Sequence, residues 1–174
     1  TSSGSGTDSG GGSGAGSGAA SGEPEKSGGS QQKGASKKPV TNGIGREYRD
    51  GKFAFTVTRV KKGVSQVGDS FLAEKAQGQF VLVYVTVKNI GDEARTFHNS
   101  SQYLYDTGGR KFESDGEAGI VMGDESKAFL EDINPGNSVK GILVFDVPKG
   151  VKLKSIEMHD SMFSGGVTIP LGNR

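Results

Sequence analysis

The chain has 174 residues, 32% of them hydrophobic, a formal net charge of +1 and no cysteine. The missing cysteines exclude disulfides, thiolate metal sites and cysteine nucleophiles. Basic and acidic residues are mixed along the chain without a basic stripe, which argues against nucleic acid or an anionic membrane as partner.

Residues 1–40 are almost wholly Gly, Ser, Ala and charged residues. Such a segment has no apolar surface to bury, so nothing offsets its conformational entropy. The composition predicts a disordered linker over 1–43, spanning about 35 Å as a Gly/Ser coil. It carries neither the basic start and apolar middle of a signal peptide nor a run that could cross a membrane. The chain opens on Thr1 rather than Met, which reads as the mature start of a tethered protein. One folded domain is then expected over 44–174, a usual single-domain size.

In that domain, the turn Arg49-Asp50-Gly51 precedes a strand over 52–60, with Phe53, Phe55 and Val57 on one face. Residues 70–76, SFLAEKA, read as a single helical turn. The most hydrophobic run, 80–87, alternates Val81, Val83, Val85 and Val87 against Phe80, Leu82, Tyr84 and Thr86. Period two and consecutive β-branched residues predict a strand, and apolar residues on both faces predict that it is central and covered twice. Asn89-Ile90-Gly91-Asp92 ends it in a turn. Segments 102–106 and 110–114 flank Thr107-Gly108-Gly109 as a hairpin. A second helical turn fits 126–130. After Asn134-Pro135-Gly136-Asn137, the strand Ser138–Val147 places Val139, Gly141, Leu143, Phe145 and Val147 on one face. Segments 153–159 and 166–171 complete the set. Short strands, Gly/Pro/Asn turns and no sustained helical period predict an all-β antiparallel two-sheet sandwich.

Gly78-Gln79-Phe80-Val81-Leu82-Val83, the run from Val85 to Asp92, Asn134-Pro135-Gly136 and the stretch from Gly141 to Pro148 resemble a family of bacterial lipoprotein domains of unknown function. The resemblance covers about residues 44–171. It implies an immunoglobulin-like sandwich similar to the mycobacterial immunoprotective secreted antigen, in an extracytoplasmic, cell-surface or secreted location. Members begin with a signal peptide, a lipid-modified cysteine and a Gly/Ser-rich linker, so the resemblance implies an anchor upstream of Thr1. It carries no catalytic residue and no cofactor.

Candidate chemistry is sparse. His98, Ser100 and Asp106 could be drawn as a Ser/His/Asp set for a hydrolase, but no elbow motif supports it. Acidic residues gather over 113–132 without the spacing of a calcium loop. Met158, His159 and Met162 supply two thioethers and an imidazole within five residues, a donor set suited to Cu(I), and define a metal-carrier alternative. In a continuous strand, however, Met158 and His159 point to opposite faces, Met158 into the core and His159 to solvent. The preferred expectation is a non-catalytic binding module for an envelope or extracellular partner. Its candidate surface comprises His98, Asn99, Asp115, Glu117, Asp124 and Glu125, with no nucleic-acid partner and membrane contact only through the implied anchor.

Overall fold

A computed structural model of the protein describes residues 41–172. The expected disordered linker therefore lies, up to residue 40, outside the described residues. An isolated bridge pairs Asn42 with Leu171, and regular strand pairing starts at Glu47.

Two four-stranded antiparallel sheets form the sandwich. The first contains β1 (Glu47–Asp50), β2 (Phe53–Gly68), β3 (Ala73–Asn89) and β8 (Ser138–Val147) in the order β1-β2-β3-β8. The second contains β10 (Val167–Pro170), β9 (Leu153–Met158), β5 (Tyr103–Asp106) and β6 (Lys111–Glu113) in the order β10-β9-β5-β6. A short ribbon pairs β4 (Arg95–Thr96) with β7 (Asp132–Ile133).

The alternation of β3 sorts its side chains into two cores. Val81, Val83, Val85 and Val87 are buried between the sheets with Phe53, Phe55, Leu143, Phe145, Leu104 and Ile156. Each such side chain contributes about 1.5–3 kcal/mol by leaving water. On the other face Phe80 and Leu82 pack with Val67, Ile142, Val144 and Ala118. The cover that sequence required on this face is α1 (Gly116–Val121), an element that the residue pattern did not reveal.

The segment that carries α1 also wraps the free edge of β8. Asp115 donates its backbone N–H to the Val144 carbonyl at 2.7 Å, and Ser126 Oγ donates to the Ile142 carbonyl at 3.1 Å. After α2 (Asp124–Lys127), a 3-10 turn over Ala128–Leu130 sends Phe129 into the inter-sheet core. Phe129 lies over Gly141, where a Cβ would sit 2.3 Å from the ring. Covering an edge strand in this way removes a template for pairing with other chains.

The helical turn expected over 70–76 is absent. β2 runs to Gly68 and β3 begins at Ala73, with Val67 opposite Glu74 and Gln66 opposite Lys75. Asp69 nucleates the connection instead: its Oδ1 accepts from the N–H groups of Phe71 (2.8 Å) and Leu72 (2.9 Å). Gly68 at φ +93° permits the reversal, since a Cβ there would meet the Leu72 carbonyl at 2.1 Å. Ladder pairing and this side-chain turn outweigh the helical preference of Leu-Ala-Glu-Lys-Ala. Register shifts between Val57 and Gln66 bend the arm. The strand expected over 52–60 is thus the first part of a longer one. β1 escaped prediction because Glu-Tyr-Arg-Asp carries no apolar alternation.

Candidate binding surface

The expected loop surface assembles in part. His98 is exposed just ahead of the 3-10 turn Asn99–Ser101, and its carbonyl accepts from Gln102 Nε2 at 2.8 Å. The Asn99 carbonyl accepts from Ser114 Oγ, and the Asn99 amide sits 3.6 Å from where a Gly119 Cβ would stand. The turn and α1 are therefore neighbours. The carboxylates, however, do separate jobs. Asp115 caps α1, its Oδ1 accepting from Ala118 N–H at 2.9 Å. Glu117 is exposed in the first turn of α1, and Asp124 is exposed at the start of α2. The Glu125 side chain lies outside what the structure describes.

Asp115 and Glu117 join an acidic patch with Glu74 and Asp146. Burial, and then the carboxylates of Asp115, Glu117 and Asp146, push the Glu74 carboxyl above its ordinary value. Asp146 is itself engaged, accepting from the N–H groups of Gln77 (2.6 Å) and Gly78 (3.1 Å). Among the described residues no three His, Asp or Glu side chains are placed to hold one metal ion.

The copper-carrier residues separate. Met158 is fully buried in the inter-sheet core, whereas Met162 is 75% exposed. His159 is not the solvent-facing residue that alternation predicted, because its side chain is only 11% exposed. Its Nε2 lies 2.9 Å from Glu157 Oε1 and its Nδ1 lies 3.2 Å from the Ser164 carbonyl. The ring also stands edge-on to Tyr103 at 5.5 Å. Residues i and i+2 share a strand face, so the Glu157–His159 pair was legible in principle. Ser164 arrives only through the return of the 159–166 loop.

Two serine-histidine-carboxylate sets differ in their geometry. Asp106 stands at the opposite end of β5 from His98 and Ser100, and it is bound to Arg110. In the other set Ser164 Oγ is 3.4 Å from His159 Nδ1, but it donates to the Ser161 carbonyl at 2.9 Å. The hydroxyl proton is thus engaged away from the imidazole, and the set fastens a loop. Buried Gln102 completes the fastening: its Oε1 accepts from His159 N–H at 2.8 Å, and its Nε2 donates to the His98 and His159 carbonyls.

The fastened loops present apolar side chains that the sequence reading passed over. Phe163 is 90% exposed on the 159–166 loop, beside Met162. Phe71 is 97% exposed at the tip of the β2–β3 arm, beside Leu72. Both tips are held by local bonds, at Ser161–Ser164 and at Asp69. Only exposure in a folded structure distinguishes these phenylalanines from core ones.

Residues 42–169 match the family model described as a domain of unknown function, DUF4352. The chain is 31% identical over 116 residues to the uncharacterized protein YxkC of Bacillus subtilis, an alignment covering 63% of this chain and 64% of YxkC. The chain therefore matches just under two thirds of YxkC's length. Among solved structures, the secreted protein MPT63 of Mycobacterium tuberculosis superposes with a TM-score of 0.54 at 18% identity, over 74% of this chain and 95% of that one. The candidate lipoprotein ycdA of Bacillus subtilis superposes with a TM-score of 0.50 at 18% identity, over 73% of this chain and 38% of that one. At such identities the likeness is one of fold.

Proposed function

Since the chain belongs to the DUF4352 family, we propose that its immunoglobulin-like sandwich is a non-catalytic binding module of the bacterial cell envelope, held outside the cytoplasm through its N-terminal segment. A lipid anchor upstream of Thr1, with residues 1–43 as spacer, belongs to the same reading. Likeness in fold to a secreted protein and to a candidate lipoprotein supports the location. The observation that carries the binding role is the pair of bare aromatic tips, Phe71 and Phe163, each on a turn stiffened by side-chain hydrogen bonds. Exposed apolar side chains on a pre-ordered loop lose little entropy on docking, and aromatic anchors carry much of the binding energy at protein interfaces. The engaged Ser164 hydroxyl fits a scaffold better than a catalyst.

The test is saturable sedimentation of labelled protein with envelopes from the source bacterium, at a salt concentration high enough to screen charge-driven contacts. The Phe71→Ser and Phe163→Ser variants, whose changes are at the surface, should keep the wild-type melting temperature. At least one should bind ten-fold or more weakly, an anchor's worth of about 1.4 kcal/mol or more. Equal binding by both variants, or no saturable binding by the wild type, refutes the reading.

A further inference from the structure

The near-neutral charge of the chain hides a spatial segregation. At the end of the sandwich where β8 finishes and β9 begins, Lys62 and Lys152 line a groove of about 590 Å³. Arg110, Lys149 and Lys152 line an adjoining one of about 520 Å³. The two share Thr107, Gly150, Val151 and Lys152, so they form one continuous depression. Its lining holds four cations and one carboxylate, Asp106. That carboxylate is buried and already accepts from Arg110 Nε and from the N–H groups of Gly108 and Arg110. Lys62, Lys149 and Lys152 are exposed, and none forms an ion pair among the described residues. The groove is stiff: Thr107 N–H donates to the Lys152 carbonyl at 2.9 Å, and Gln79 Nε2 donates to the Pro148 carbonyl at 3.1 Å.

A second observation selects the partner. The N-terminal segment joins the domain at this same end. Asn42 bridges Leu171, and Leu171 N–H donates to the carbonyl of Lys154, the second residue of β9. We propose that this basic end docks on an anionic phospholipid surface, with headgroup phosphates seated in the groove. The inference rests on the envelope reading, because a tether that enters at this end keeps it within reach of the lipid. The distribution of charge gives the docking one orientation. Beyond Pro148, three carboxylates (Glu74, Asp115 and Asp146) against one cation (Lys75) line a separate groove, whose net negative charge the same surface repels. Sequence order concealed the patch because its cations come from β2, the β5–β6 turn and the β8–β9 turn.

The experiment is co-flotation of the 174-residue chain, without any lipid anchor, with vesicles of phosphatidylglycerol and phosphatidylcholine in a one-to-two ratio. Binding is expected there, absent on pure phosphatidylcholine, and weakened by salt. Each lysine near an anionic surface is worth about a five-fold change in binding, so the triple variant Lys62→Gln, Lys149→Gln, Lys152→Gln should bind about a hundred-fold more weakly. A control triple, Lys52→Gln, Lys88→Gln, Lys140→Gln, has the same formal charge and should stay within a few-fold of wild type. No binding to the anionic vesicles, equal binding to neutral ones, or equal loss in the control overturns the proposal. So does displacement from vesicles by inorganic polyphosphate at matched phosphate concentration, which would mark a site for soluble polyanions. The Phe71→Ser and Phe163→Ser variants should float like wild type, so failure of the lipid proposal and failure of the binding-module reading remain distinguishable.

Discussion

Adding one methyl group at Gly141 tests how the 114–130 segment is locked onto the sandwich. An alanine Cβ would stand 2.3, 2.5 and 2.7 Å from three outer carbons of the Phe129 ring. The ring cannot easily retreat, because it is 1% exposed and packs edge-on to Phe97 at 5.0 Å. Overpacking of this kind costs about 1–3 kcal/mol, and three simultaneous clashes place Gly141→Ala near the upper end. Alanine also relieves the entropic penalty of a strand glycine, about 0.5–1 kcal/mol in the other direction. The net loss should be about 2 kcal/mol. In a Phe129→Leu background the side chain ends at Cδ, so all three clashing atoms are gone. There Gly141→Ala should be neutral or stabilising by up to about 1 kcal/mol. Urea denaturation of the four proteins of this cycle gives the coupling, expected at about 2–3 kcal/mol. Additivity within about 0.5 kcal/mol would mean that Phe129 does not sit over Gly141, and the account of the covered β8 edge would fail.

Asn89 is fully buried, donates to the Glu93 and Ile133 carbonyls at 2.7 Å each, and accepts from Gly91 N–H at 2.8 Å. Asn89→Ala orphans these partners and should cost about 3 kcal/mol in urea denaturation. Val83→Asp puts an unpaired carboxylate between the sheets and should abolish the cooperative melt by circular dichroism, whereas Met158→Leu conserves volume and should cost less than about 1.5 kcal/mol. Two carboxyls give opposite pH signatures when melting temperature is followed from pH 3 to pH 7. Burial works to raise the Asp106 carboxyl, but hydrogen bonds from Arg110 and Gly108 and the Arg110 charge outweigh it and hold the group below 3.8. Its stabilisation is therefore complete above that pH and fades as pH falls further, so Asp106→Asn should destabilise at pH 7 and progressively less under acid. Glu74, raised above 4.5 by burial and its acidic neighbours, favours folding less once ionised. Glu74→Gln should raise the melting temperature at pH 7 and lose that advantage below pH 4.5; a reversed trend for either variant refutes the assigned environment.

Sequence alone determined the sandwich and most of its strands. Period-two alternation in β3 and β8, with the Asn89-Ile90-Gly91 turn after the one and the Pro135-Gly136 turn before the other, is a local pattern that a sheet can satisfy in only one way. It also determined that β3 needs cover on both faces, and it placed Met158 in the core. Tertiary structure alone decided what supplies that cover, because α1 is six residues long and draws its stability from docking on Leu82 and Val144 rather than from its own propensity. The arm at 69–72 was likewise decided by pairing with a distant strand segment and by one Asp side chain. His159 turned inward because a loop returning five residues later brought the Ser164 carbonyl to its ring, a contact no alternation encodes. The basic groove and the two aromatic tips follow the same logic. Charge and exposure at a surface are sums over segments far apart in the chain, and only folding places Lys62 beside Lys152.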